Sequence, residues 1–442
     1  EYDGLGRLKK VTNKHSQVEF VFTKEGRLKE EILRMQNQGE ESYAHEYSVK
    51  HSYDDANNQT IVTYPSGREL TFATDKLYRL SSVKTEEGNG IGAYTYDISG
   101  KLTEKKYLNN LSLTAESYDV ANRLLKFRYR NIYAENIYKR ELKWNKLDLK
   151  DYSVDGEKGE TYIYDAANHL VWQHDEFTNF SYTMDIDANE NLKSRTRAIL
   201  DLKLDDGDSL PIDFEDYKEK DLNEIPLRNN KVSHTYNERH ELDTKDSNDE
   251  NEFEYDENGN LKKWKSKGHE YFYNWKNQLV KVITTVNKKT ETIEYRYDPL
   301  GRRIEKRVTG ADENTHVTLY VFSGFQVLEE YEYDEGQAEP ERLTWRYMYG
   351  SGIDEILAME TDQNGDGTLE PYIPLQDTNG NVIAIAGGQA RLIEKVRYAP
   401  FGPHEILYDK DPPRLQYIAM KDGEIHVRFS EPVDLGEGKS FS

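Results

Sequence analysis

Apolar and polar positions alternate at period two in short runs, and aromatic residues carry much of the apolar half. Tyr94 and Tyr96, Tyr162 and Tyr164, Phe253 and Tyr255, Tyr271 and Tyr273, and Tyr295 and Tyr297 each stand two apart. In an extended strand this spacing puts both rings on one face of a sheet, where they can stack into ladders. The runs end on a recurring punctuation, Tyr-Asp-x-x-(Gly/Asn)-x-Leu. The Asp can accept hydrogen bonds from backbone amides about two residues on, and the Gly or Asn tolerates a positive φ. The pattern therefore specifies a strand, a tight turn and a second strand. These aspartates are expected to shape turns rather than to perform acid–base chemistry.

The motif begins at Tyr2-Asp3-Gly4-Leu5-Gly6-Arg7-Leu8 and recurs at Tyr96, Tyr118, Tyr164, Tyr255, Tyr273 (with Asn274 for Asp) and Tyr297, with degenerate copies from Phe22 to Leu28, Tyr53 to Asn57 and Ile186 to Leu192. A spacing of about 20 residues holds two strands of 5–6 residues and their turns, so each copy is one β-hairpin. Hairpins in this number exceed the roughly 10 strands at which an open twisted sheet curls, splits or flattens. The fold class is all-β: tandem β-hairpin repeats in a coiled sheet or hollow shell.

These residues resemble the YD-repeat, or Rhs, family, which includes bacterial polymorphic toxins, cocoon-forming components of insecticidal toxin complexes, wall-associated proteins and animal teneurins. The resemblance covers residues 1–345 through the repeats. From Arg346-Tyr347-Met348-Tyr349-Gly350 through Gln376-Asp377, Gly380-Asn381 and Tyr398-Ala399-Pro400-Phe401-Gly402, residues 346–403 are similar to the family's repeat-associated core domain. The resemblance implies a β-shell in which the core-associated segment caps one end, and a polypeptide cargo inside. The self-cleavage motif that some members carry after this domain is missing, so the resemblance does not imply a protease.

The rhythm breaks at about 201–251, where Asp205-Asp206-Gly207-Asp208 and Asp246-Ser247-Asn248-Asp249-Glu250 read as a polar insertion. Residues 404–413, with Pro412-Pro413, read as a linker. Residues 414–442 alternate as Leu415-Gln416-Tyr417-Ile418 and Ile425-His426-Val427-Arg428-Phe429 around Asp422-Gly423, like the first strands of an Ig-like β module.

Composition narrows the function. The 442 residues carry a formal charge of −23, which repels a phosphate backbone and disfavours nucleic acid as a partner. No stretch approaches the ~18 consecutive apolar residues of a membrane span, and mean hydropathy is −0.92. There is no cysteine, which excludes disulfides and thiol chemistry but leaves the compartment open. The 33 tyrosines are the main aromatic resource.

One cofactor candidate stands out. Asp362-Gln363-Asn364-Gly365-Asp366-Gly367-Thr368 has the D-x-N-x-D-G spacing of a calcium loop, with Asp362, Asn364, Asp366 and Thr368 as ligands for Ca²⁺. Position 12 is Ile373 rather than the bidentate Glu, so Glu370 or a water would complete the shell; a hairpin turn is the alternative reading. The histidines, among them His174, His240, His269 and His404, lack metal-ligand spacing and are expected at the surface. No nucleophile elbow, P-loop or dinucleotide fingerprint is present.

The reading is therefore a non-enzymatic scaffold of an exported or cell-surface protein of bacterial type, an excerpt of a longer chain, that encloses or displays a polypeptide. The alternative is a glycan- or protein-binding adhesin that uses the aromatic sheet face, and a weaker one is a self-processing aspartyl-type toxin carrier.

Overall fold

The structure is a computed structural model. It describes residues 1–36, 42–131, 133, 135–155, 158–176, 180–200, 227–245, 252–286, 289–336, 341–352, 354–362, 367–387, 390–398, 400, 404–409, 415–421 and 424–429, the last three as backbone alone. Among these residues the regular elements are β-strands and two three-residue 3₁₀ turns.

The strands follow one another as an antiparallel meander. One sheet of 19 strands runs from Lys10–Thr12 to Leu242–Lys245, and one of 14 strands runs from Phe253–Tyr255 to His404–Asp409. Each strand pairs with its predecessor in sequence, as Gly90–Tyr96 does with Leu102–Tyr107. The second sheet passes without a break through Arg342–Tyr349, where the core-associated segment begins. A separate pair, Leu415–Lys421 and Glu424–Phe429, follows; residues 430–442 of the expected Ig-like module lie outside the described residues.

Part of the segment expected as a polar insertion is regular strand. Leu227–Tyr236 and Leu242–Lys245 are the last two strands of the first sheet. They are joined by Asn237–Glu241, a copy of the repeat turn in which His240 takes the Gly position at φ 63°. Residues 201–226 and 246–251 lie outside the described residues.

A meander this wide does not remain a single open layer. The two sheets pack face to face around a shared apolar core. Val18, Leu33, Val49, Leu70, Val83 and Phe127 of the first sheet share one buried cluster with Val317, Leu319, Met348, Leu357, Ile373 and Ala384 of the second. The opposite face of the first sheet carries ion pairs across and along its strands. Arg34 bridges Glu19 at 2.8 Å and Glu46 at 2.6 Å, while Lys126 and Lys139 flank Glu141 at 2.9 and 2.8 Å. Alternation thus divides each strand between a packed face and a solvated one.

Candidate functional site: the seam between the sheets

The repeat turn is the building unit. In the Tyr96 copy, Asp97 Oδ1 accepts the backbone N–H of Ser99 at 2.8 Å and of Lys101 at 2.9 Å. The main chain closes the same loop, Gly100 N–H donating to the Asp97 carbonyl at 3.0 Å, and Gly100 sits at φ 86°. The same pair of side-chain bonds recurs at Asp3, Asp75, Asp119, Asp165, Asp187, Asp256, Asp298 and Asp377. Asn does the same work at Asn145, Asn237 and Asn274. A carboxylate that satisfies two amides of its own turn is a structural acceptor, as the motif requires.

The motif tyrosine connects successive copies. Its hydroxyl donates to a backbone carbonyl in the preceding repeat: Tyr53 to Leu28, Tyr96 to Leu80, Tyr118 to Leu102, Tyr164 to Lys150, Tyr236 to Leu192, Tyr255 to Leu242, Tyr297 to Leu279 and Tyr398 to Val382, all at 2.7–3.0 Å. In the same role the Trp144 indole N–H reaches the Leu124 carbonyl at 3.0 Å. The sixth motif position adds a second link. Arg7, Arg27 and Arg79 lie over Phe22, Tyr53 and Tyr96 of the next copy at 4.2, 4.1 and 4.3 Å, the range of cation–π attraction. Ring pairs also form along strands, Tyr94 on Tyr96 at 6.5 Å and Trp345 on Tyr347 at 6.0 Å.

Between the sheets the seam is polar as well as apolar. Arg302 donates to Glu31 at 2.6 Å and also to Asp298, with all three side chains nearly removed from solvent. Farther along, Arg346 lies between Glu329 at 3.1 Å and Glu360 at 2.6 Å, and both Arg346 and Glu329 bond the Ser66 hydroxyl of the first sheet. Glu355 takes Lys105 at 2.7 Å and Tyr94 at 3.0 Å. Tyr129 donates to the Gln376 carbonyl at 2.8 Å, and Arg397 pairs with Asp175. Partners on the two sheets advance in the same order, from Glu31 with Arg302 to Asp175 with Arg397, so the seam has one register.

Burial and pairing set the titration of these groups. Burial pushes the Glu355 carboxyl up, but the Lys105 ammonium and the bonds from Gly352 and Tyr94 outweigh it and hold it below the ordinary glutamate range. Glu341 is held low in the same way by His45 and Tyr47 against its burial. Glu305 and Glu330 go the other way. Burial raises both, despite Arg296 and Arg307 near Glu305 and the Tyr347 hydroxyl on Glu330. Tyr349 is pushed up to about 12 by burial. The Glu355 and Glu341 pairs join the two sheets, with Lys105, Tyr94 and His45 on the first and the glutamates on the second, whereas Glu305 and Glu330 are held within the second sheet.

The calcium candidates are divided. The Asp362 carboxylate is buried, accepting the Gly367 N–H at 3.0 Å and facing Arg342 at 3.5 Å. Thr368 is exposed, and Asn364 and Asp366 lie outside the described residues. Among the described residues no three His, Asp or Glu side chains form a metal-ligating group. His174, expected at the surface, is instead buried in the first sheet, stacked 5.9 Å from Trp172 and bonded to the Ser181 hydroxyl at 2.9 Å. Alternation puts it on the same face as Trp172, two residues away. Sequence reading missed the seam pairs. The available signal was the recurrent Arg at motif position six, in Arg7, Arg79, Arg123 and Arg302, which bonds its own motif Asp.

Comparison with known proteins agrees with this architecture. Crystal structures of the TcdB2–TccC3–TEV and TcdB2–TccC3–Cdc42 complexes superpose with TM-scores of 0.70, at 13% and 12% identity, over 92% and 90% of this chain. The Photorhabdus luminescens Tc holotoxin pore superposes with a TM-score of 0.70 at 12% identity over 90% of the chain. At such identities the likeness is one of fold. This chain spans about a fifth of those chains, 21%, 21% and 20% of their lengths. The tRNA3(Ser)-specific nuclease WapA of Bacillus spizizenii is 29% identical over 151 residues, 34% of this chain and 6% of that protein. The Teneurin YD-shell family model matches residues 93–419. A repeat turn carried by Asp, tyrosines that tie each hairpin to the last and a match over most of the chain lead to one assignment: this is a YD-repeat (Rhs) protein and belongs to the teneurin YD-shell family.

Proposed function

We propose that this chain is a non-enzymatic wall segment of a shell that encloses or displays a polypeptide on an exported or surface protein. The observation that carries the reading is the seam. A single layer of hairpins could act as an open strip, but here two laps of the meander are fastened through buried ion pairs, from Glu31 with Arg302 to Asp175 with Arg397. Fastening successive laps is what a wall needs if it is to exclude solvent and proteases from one side. The fold shared with the Tc toxin structures supports the same reading.

The motif aspartates are consumed by their turns and the seam carboxylates by arginine and lysine, which favours scaffold over catalyst. Protection is the direct test. A polypeptide fused downstream of the native protein is expected to resist trypsin while the wall is intact and to be digested once the wall is unfolded. Digestion at the rate of the free polypeptide, with the wall still folded, would remove enclosure and leave display.

A further inference from the structure

The buried cations of the seam are paired: Arg302 has Glu31, Arg346 has Glu329 and Glu360, Lys105 has Glu355, and Arg397 has Asp175. Lys150 is the exception. It opens the strand Lys150–Asp155 of the first sheet, and its carbonyl accepts the Tyr164 hydroxyl at 3.0 Å. Its side chain lines a cavity of about 220 Å³ between that sheet and the Asp377–Gly380 turn of the second. The ammonium lies 5.8 Å from the centre of the Tyr162 ring and makes no hydrogen bond or ion pair among the described residues. The two carboxylates whose fields reach it are already engaged. Asp377 accepts the amides of Asn379 and Asn381 in its own turn, and Glu160 takes Arg140 at 2.9 Å and the Tyr162 hydroxyl at 3.2 Å.

A second group in the same cavity also lacks a partner. Gln173 is only 4% exposed, yet its carboxamide makes no hydrogen bond among the described residues. Buried polar side chains are paired in the large majority of cases, so two unpaired ones in one cavity call for a group from outside the chain. Burial holds the Lys150 amine below the ordinary lysine range in spite of Asp377 and Glu160, with Arg140 adding to the depression. A carboxylate beside it would reverse that. The remaining wall favours an organic acid over an inorganic ion, because Phe127, Leu142, Ile383 and Val396 supply apolar surface. The volume exceeds the roughly 150 Å³ that admits benzene and falls short of the roughly 300 Å³ at which drug-sized sites begin. It suits a single ring or a short alkyl chain.

We propose that this cavity binds a small apolar monocarboxylate, its carboxylate on Lys150 and Gln173 and its hydrocarbon body against Phe127 and Ile383. The site is independent of whether the wall encloses a polypeptide.

The test is titration calorimetry of the intact protein with benzoate and hexanoate, beside neutral benzamide and inorganic phosphate. At least one of the two acids is expected to bind, and about tenfold more weakly to Lys150→Met, which removes one charge-assisted hydrogen bond. Gln173→Leu is expected to weaken binding by a smaller factor. Because Lys150→Met deletes an unpaired charge, its melting temperature is expected to match or exceed that of the parent, which separates lost binding from lost fold. No heat from either acid, or binding unchanged in Lys150→Met, overturns the proposal. Benzamide bound as tightly as benzoate overturns it in favour of a merely apolar cavity, and phosphate bound as tightly overturns it in favour of an inorganic anion site.

Discussion

Arg302 donates to Glu31 across 271 residues of sequence at 2.6 Å, and neither side chain retains more than a trace of exposure. The same guanidinium holds Asp298 of its own repeat turn at 2.6 Å and the Gly324 carbonyl at 2.6 Å. One arginine therefore fastens a turn, its neighbour and the opposite sheet.

Breaking that pair from one side leaves a buried charge with part of its partner set removed. Glu31→Ala is expected to destabilise the chain by about 3 kcal/mol, within the range for buried pairs cut at one end. Arg302→Met combined with Glu31→Leu should cost less than the sum of Arg302→Met and Glu31→Leu alone, because the two charges leave together, although Asp298 is then left without its guanidinium. Urea midpoints of Glu31→Leu, Arg302→Met and the double variant read this out; additive losses would mean that the pair is not coupled.

Position five of the repeat turn is left-handed even at copies where neither Gly nor Asn occupies it. Tyr78 stands there at φ 60° and Glu190 at φ 67°, where a side chain costs about 1–2 kcal/mol. Tyr78→Gly, at an exposed turn tip, is expected to stabilise by a few tenths to about 1 kcal/mol, the gain being reduced by glycine's larger unfolded-state entropy. Gly100→Ala, at φ 86°, is expected to do the reverse. Thermal melts of both variants decide it.

The tyrosine links are many and individually small. Tyr96→Phe deletes the bond to the Leu80 carbonyl and should cost about 0.5–1.5 kcal/mol. Hydrogen exchange should show the loss confined to the hairpins on either side, Glu69–Thr74 to Leu80–Thr85 and Gly90–Tyr96 to Leu102–Tyr107.

The raised Glu330 gives a pH signature. Its folded pKa lies above the unfolded value, so the native state holds the proton more tightly. The associated stability is full below the ordinary glutamate range and is lost as pH rises through the folded value. Glu330→Gln is therefore expected to raise the melting temperature at pH 7 and to leave it nearly unchanged at pH 4. Glu355, held low, has the opposite sign: its contribution is present above the unfolded pKa and disappears as pH falls through the folded one. Equal effects of Glu330→Gln at both pH values would contradict the assignment.

For the Asp362 loop, calcium must compete with Arg342 for the same carboxylate. We propose that millimolar calcium gives a calorimetric heat that strengthens in Arg342→Gln. Absence of heat in both proteins would remove Asp362, Asn364, Asp366 and Thr368 as ligands.

The repeat was legible because its turn is written locally. Asp97, Gly100 and Leu102 lie within one hairpin, and alternation upstream of Tyr96 marked the strand. The copies missed were those in which two or more letters changed: Thr74 to Leu80, where Thr74 replaces Tyr and Tyr78 replaces Gly, Trp144 to Lys150, where Trp144, Asn145, Asp148 and Lys150 all depart from the motif, and Tyr236 to Leu242, where Asn237 replaces Asp and His240 replaces Gly. Each keeps the Asp or Asn that satisfies two amides, and that is enough to offset the cost of a left-handed side chain. The seam was not legible, since nothing local to Glu31 points to Arg302. Long-range pairing is a property of how the laps align, and only motif position six hinted at it.

The most direct test of the wall is a cryo-EM map of the native full-length protein. The account predicts that residues 1–409 form two fastened laps of a closed wall with polypeptide density on its inner side. An open, elongated strip, with the Glu31 and Arg302 sheets apart and no enclosed density, would contradict it.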